Sequence, residues 1–260
     1  MRSLDVVPSP PAPLTTCLVG MVRSPRRTCE RVAANPRWAG MLLVTWCLAT
    51  AARVGLMSTA VGRQALTDQW VHRAEAFGQN VGDGLYAQFQ WLGEHGLETA
   101  VLTSVASGPL LAFVLAACLR LGSDPGDEPT QGSDPGVGAT QGWNGSGAPP
   151  YRRVLSVVVH ANVILAVRDV VAAPVNYLRE SIASPLTVAT FFPMLDESSP
   201  AAPFLAMIDF FLVWWLLVLA VGTAVLYRRP VRPVALTYLG LYVAFAMATA
   251  AAMAVSGGSV

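Results

Sequence analysis

The chain has 260 residues, 53% of them hydrophobic and only 13% charged, with a mean hydropathy of +0.49 and a formal net charge of +1. This balance excludes an ordinary soluble domain and identifies an integral membrane protein, all-α by the length of its apolar runs.

Residues 1–16 are Pro-rich and polar and read as a disordered tail, with no early basic cluster followed by an apolar core and hence no signal peptide expected. Cys17 is read as an ordinary thiol. Residues 17–38 form an amphipathic segment expected to lie along the cytoplasmic membrane surface. Leu18, Val19, Met21 and Val22 enter the headgroup boundary, while Arg23, Arg26, Arg27, Arg31 and Arg37 face anionic lipid.

Residues 39–260 form the membrane domain, with spans one to five at about 39–57, 99–119, 154–175, 204–227 and 234–255. Each comes near the roughly 20 residues that cross about 30 Å of hydrocarbon. Between spans one and two, Leu66, Trp70, Ala74, Phe77, Val81, Leu85, Phe89 and Leu92 recur at helical steps, so an outer amphipathic helix bent at Gly78, Gly82 and Gly84 is expected. His72, Glu94, His95 and Glu98 match no metal-ligand motif and read as a solvated polar face. Span two carries Ala100, Ser104, Gly108, Ala112 and Ala116 in four-residue steps, the small-residue stripe that lets helices approach closely in lipid. Residues 122–150 repeat GSDPG and read as a disordered cytoplasmic linker, within which the triplet Asn144-Gly145-Ser146 carries no weight. The loop before span four, in which Phe191 and Phe192 can anchor at the interface, reads as a cap over the outer mouth.

Arginines crowd the N-terminal segment and the loops after spans two and four, so the positive-inside rule puts the N-terminus in the cytoplasm and the C-terminus outside. The four cysteines show no zinc-site spacing. Ionisable groups inside the spans are the main candidates for function. At 1.5 Å per residue, Asp209 falls about 8 Å below the outer end of span four and Arg168 about 21 Å above the inner end of span three. Arg53 and Asp169 reach the same level. The quartet Arg53, Arg168, Asp169 and Asp209 is therefore expected to pair as a structural lock, one that exchanged charges at positions 168 and 209 could re-form. Below it lie His160, expected to be packed and hydrogen-bonded, and Asn162, a neighbour for the indole donors of Trp214 and Trp215. No nucleophile triad, metal-binding helix motif or phosphate-cradling loop is found, and an Arg beside each aspartate disfavours a protease-like carboxylate pair; no enzyme, cofactor or metal site is expected.

"LVGMVRSPRRTCERVAANPRWAG" (residues 18–40) and "IDFFLVWW" (residues 208–215), followed by Gly222, together resemble bacterial members of the Yip-one domain family, as does the five-span layout with the N-terminus inside. The Asp-Leu-Tyr-Gly-Pro type motif of the eukaryotic members is missing. The resemblance implies a non-enzymatic membrane scaffold, adaptor or organiser, since eukaryotic relatives act in vesicle traffic and membrane shaping. Its expected partners are the lipid bilayer and other membrane proteins or further copies of itself, with no nucleic acid and no small-molecule substrate. The alternative is a small transporter or channel subunit that uses Asp209, Arg168 and His160.

Overall fold

The structure, a computed structural model, describes residues 13–122, 149–192, 194 and 201–257. Residues 1–12, nearly all of the linker with its Asn144-Gly145-Ser146 triplet, and part of the loop before span four lie outside the described residues. In chain order the helices are α1 (Leu14–Arg23), α2 (Pro25–Ala34), α3 (Ala39–Met57), α4 (Ala60–Ala76), α5 (Asp83–Glu94), α6 (Gly96–Leu121), α7 (Tyr151–Ala161), α8 (Val163–Leu178), α9 (Ala201–Met207), α10 (Phe210–Tyr227) and α11 (Val231–Gly257). A short 3-10 turn, Val188–Phe191, lies between α8 and α9. Among the described residues five units are long and apolar enough to cross a membrane: α3, α6, the pair α7–α8, α10 and α11. The protein is thus an all-α, multi-pass membrane protein.

The centre of the bundle is α7. Every residue from Val154 to Ala161 is buried, because apart from His160 this stretch is apolar or small and needs a neighbour on each side. Those neighbours are α2, α6 and α10. In lipid no hydrophobic force drives helices together, so close backbone approach and interhelical hydrogen bonds must do so. Ala112 and Ala116 of the span-two stripe are fully buried, and Ser104 with them. At Gly222 of α10 an added Cβ would collide with Val157 of α7 and press on Cys29 of α2. The hydrogen bonds come from aromatic side chains at helix ends and midplanes. Trp46 Nε1 donates to the Ser104 carbonyl (2.8 Å), Tyr151 to that of Phe113 (3.0 Å) and Tyr227 to that of Leu119 (3.0 Å).

The N-terminal segment is a pair of short helices. Ser24-Pro25 divides it: the Ser24 N–H closes α1 on the Gly20 carbonyl at 2.8 Å, and Pro25 opens α2, where its missing N–H costs nothing. The break lets each short helix turn its own apolar stripe to the bundle, so Met21, Cys29 and Val32 are buried in protein rather than in headgroups. Helix α2 packs on α7 and α10. Arg23, Arg26, Arg27, Arg31 and Arg37 stay exposed on the other side.

The outer segment is likewise a pair. Helices α4 and α5 form a hairpin turned at Gly78, whose φ of 71° is the left-handed conformation that glycine adopts freely. Across the hairpin Trp70 stacks on Phe89, and Gly93 leaves room for Thr67. His72 faces Glu75, and His95 stacks on Trp91; the two histidines serve different helices.

Gly222→Ala should lower stability in detergent by about 1–3 kcal/mol through overpacking. Gly240→Ala, where nothing lies within 4 Å, should leave it unchanged; thermal unfolding of the two variants checks the contrast. Burial, reinforced by the Glu30 carboxylate, pushes the Cys29 thiol from 9.0 up to about 12. A raised folded value keeps this contribution to stability whole below about pH 9 and loses it as pH rises toward 12. At pH 8 N-ethylmaleimide should therefore label Cys29 only after unfolding, as read by peptide mass spectrometry.

Candidate functional site

Asp209 opens a helix; it does not interrupt one. The expected continuous span over residues 204–227 is corrected: it breaks at Ile208-Asp209 into α9 and α10. Asp209 has extended backbone (φ −98°, ψ 127°), and its Oδ1 accepts from the N–H groups of Phe211 (2.7 Å) and Leu212 (3.3 Å). A short carboxylate side chain at this position satisfies helix donors that have no intrahelical partner, and its charge is favoured by the helix N-terminus.

Non-helical backbone at membrane depth must find its hydrogen bonds inside the protein. The Tyr242 hydroxyl of α11 donates to the Met207 carbonyl (2.6 Å) and accepts from the Asp209 N–H (3.0 Å). From the other side the segment before the 3-10 turn pairs with the break. Val188 N–H donates to the Ile208 carbonyl (2.8 Å) and Phe210 N–H to the Leu186 carbonyl (3.0 Å), around an antiparallel bridge between Thr187 and Asp209.

The second carboxylate oxygen holds the tertiary partners. Asp209 Oδ2 accepts from the Ser184 hydroxyl and from Arg168 Nη2 at 2.9 Å. Four donors thus converge on a side chain that is only 3% exposed, which fills the acceptor capacity of a carboxylate. One residue further along α8, Asp169 Oδ2 accepts from Nε (3.2 Å) and Nη2 (3.1 Å) of Arg53 on α3. Successive residues of a helix point about 100° apart, so Arg168 and Asp169 tie α8 to two different neighbours. The pairs differ in solvation: the Arg168 side chain is 28% exposed on a buried Asp209, whereas the Arg53 side chain is 48% exposed.

Below this layer the groups are paired locally. His160 is buried with Nδ1 2.7 Å from the Ser156 carbonyl, so Nδ1 carries a proton. Asn162 sits at the one-residue interruption between α7 and α8, and its Oδ1 accepts from Trp215 Nε1 at 3.1 Å. Two cavities reach the charged layer, both lined by Arg53 and Asp169; Asp209 and His160 line neither. The structure therefore gathers Arg53, Arg168, Asp169 and Asp209 in one layer and keeps His160 and Asn162 apart from it. The five surface arginines form a separate, exposed face.

Sequence reasoning missed Ser184, Tyr242 and the strand-like segment Leu186–Val188. A phenol in the middle of an apolar span is a signal that a buried partner exists. Nothing about Ser184 in its loop marks it.

A family model for the Yip1 domain matches residues 19–253. The chain belongs to the Yip1 domain family. No curated protein and no solved structure matches it. The matched residues run from α1 to α11, so in this Yip1 domain the basic helix pair belongs to the same unit as the spans.

Asp209→Asn keeps an acceptor for the cap and removes the charge that Arg168 meets, and breaking a buried pair costs about 3–5 kcal/mol. Asp209→Ala should cost about 1 kcal/mol more, the worth of the cap. In a thermal double-mutant cycle Arg168→Gln with Asp209→Asn should lose less than the two changes summed. Exchanging the charges should not rescue stability, contrary to the depth argument alone. An arginine at position 209 cannot accept from Phe211, Leu212 or Ser184.

Proposed function

We propose that this Yip1 domain protein is a non-enzymatic membrane organiser, a five-span scaffold whose basic cytoplasmic face gathers anionic lipid and membrane partners. The observation that carries this reading is the α1–α2 pair. Met21, Cys29 and Val32 hold it in the bundle, while Arg23, Arg26, Arg27, Arg31 and Arg37 face outward. A tail tethered at one point would present these charges on a mobile arm; a docked pair presents them as a surface of fixed shape.

That surface continues onto the spans. A cleft of about 370 Å³ between α2 and the turn after α10 is lined by Arg26, Glu30, Arg228 and Arg229. Arg120, Arg152 and Arg232 fall at the same end of the bundle, where α6 ends and α7 and α11 begin. Such asymmetry supports an N-terminus in the cytoplasm and a C-terminus outside. Anionic headgroups attract each arginine near the surface by about 1 kcal/mol, enough in sum to concentrate such lipid beneath the protein. The paired charges of the outer layer serve this scaffold as a structural lock between α3, α8 and α10.

A transport reading draws on one observation, the exposure of Arg53 and Asp169 to both cavities. An ion flux into proteoliposomes that Asp169→Asn abolishes would replace the scaffold reading with that one. The direct test uses the full chain in vesicles of mixed phosphatidylcholine and phosphatidylglycerol. Clustering of a fluorescent phosphatidylglycerol around the protein should collapse when Arg23, Arg26, Arg27 and Arg31 are all changed to Gln, with membrane insertion retained. Clustering that survives the four changes would overturn the proposal.

A further inference from the structure

Two cavities lie end to end between α3, α6 and α8, and together they have the polarity profile of a phospholipid. The outer one, about 670 Å³, is bounded by the end of α3, by α4 and by the beginning of α6, and is lined by Arg53, Arg73, Arg168 and Asp169. The inner one, about 310 Å³, is walled by Leu42, Trp46, Leu111, Leu165 and other apolar groups. Both volumes lie within the roughly 300–1,000 Å³ of ligand sites. Arg53 and Asp169 line both, so this pair marks the joint.

We propose that this path binds one phospholipid from the leaflet that holds α4 and α5, with its phosphate against Arg53 and Arg73 and one acyl chain in the inner cavity. The outer cavity is cationic. Three guanidinium groups line it against one carboxylate, and Arg168 is already engaged by Asp209. Arg53 offers five N–H donors, more than the single Asp169 oxygen it meets can accept. Arg73 is held over the Trp70 ring at 5.7 Å, which keeps a long side chain at the rim.

Below the arginines come hydroxyl groups without partners. Thr50 Oγ1 and Ser104 Oγ, both in the inner wall, are buried with no hydrogen bond, and Ser104 is only 3% exposed. A buried hydroxyl of this kind has a hydrogen bond free for a group that enters the cavity. Thr50 is one helical turn below Arg53, the level at which a glycerolipid anchored by its phosphate carries ester carbonyls that accept from hydroxyls. In the outer wall the unpartnered Asn176 Oδ1 can accept from a headgroup hydroxyl or amine. From Arg53 to Leu42 the chain runs eleven residues, or about 16 Å of helix, close to half of a hydrocarbon core of about 30 Å. That is the length of one leaflet's acyl layer, counted inward from the charged layer. Leu111 both lines the inner cavity and is exposed on the outside of α6, which gives a chain a lateral way in. Free phosphate shares the chemistry of the outer cavity but leaves Thr50, Ser104 and the apolar wall without a partner.

The test uses the full chain in nanodiscs containing a phosphatidylglycerol with a diazirine near the end of one acyl chain. Crosslinks are mapped by peptide mass spectrometry. They should concentrate on Trp46, Leu111 and Leu165, fall about tenfold in Arg53→Gln with Arg73→Gln, and resist competition by inorganic phosphate. Because Arg53→Gln also strips Asp169 of its partner, Arg73→Gln alone is the second variant, and it should lower the same crosslinks without lowering the thermal stability. Crosslinks spread evenly over lipid-facing positions such as Leu102 and Leu241, or indifferent to Arg73, would overturn the proposal. Loss of labelling in the presence of inorganic phosphate would overturn it too, in favour of a phosphate site.

Discussion

A helix that stops inside a bilayer leaves carbonyls and N–H groups with no water to receive them, and the break at Ile208-Asp209 is the point on which the outer half of this Yip1 domain depends. Asp209 joins the two halves of the solution. Its Oδ1 caps α10, and its Oδ2 holds Arg168 of α8 and Ser184 of the loop. Tyr242 and the segment Leu186–Val188 take up the remaining backbone groups. Once the carboxylate is placed, α8, α10, α11 and the loop over them have their relative positions largely decided. Each supplies a donor or acceptor that would otherwise be buried without a partner.

The inner half is organised by contact instead of charge. Its middle is α7, valine-rich and buried on every side, and its neighbours approach through Ala112, Ala116 and Gly222. Cys29 reaches the Gly222 contact from α2, so the N-terminal helix pair is a structural part of the bundle. This coupling gives the exposed arginines a fixed stage. Cys29 and Val157 both meet α10 at Gly222, so the helix pair packs directly on the helix that Asp209 caps.

The charged layer is a graded structure. Asp209 is buried and met by four donors, with Arg168 reaching only the outer cavity, whereas Arg53–Asp169 opens on both cavities. A buried carboxylate with every acceptor site filled suits architecture, because it holds one geometry. An open pair can exchange partners, and a phosphate beside Arg53 would compete with Asp169 for the same guanidinium. The scaffold and the lipid site proposed above would thus draw on adjacent residues of one helix.

By itself the sequence determined the membrane class, the five spans and the polar groups at membrane depth, since apolar length and the cost of burying charge are properties of composition and depth. It also showed the face of basic residues, because arginines repeated among apolar positions need no partner to be visible. What only the tertiary structure decided is where helices break and what meets at each break. Ser24-Pro25, Gly78 and Asn162 are local marks of interruption, whereas the break at Ile208-Asp209 is marked only by Asp209 itself, whose sequence signature a cap shares with a charge inside a span. There the carboxylate reads as a charge within a helix until Tyr242, 33 residues later, and Ser184, 25 residues earlier, are brought to it. Depth along isolated helices put four charges at one level; the rotation of each helix about its axis, set by side-chain packing, decided which of them meet.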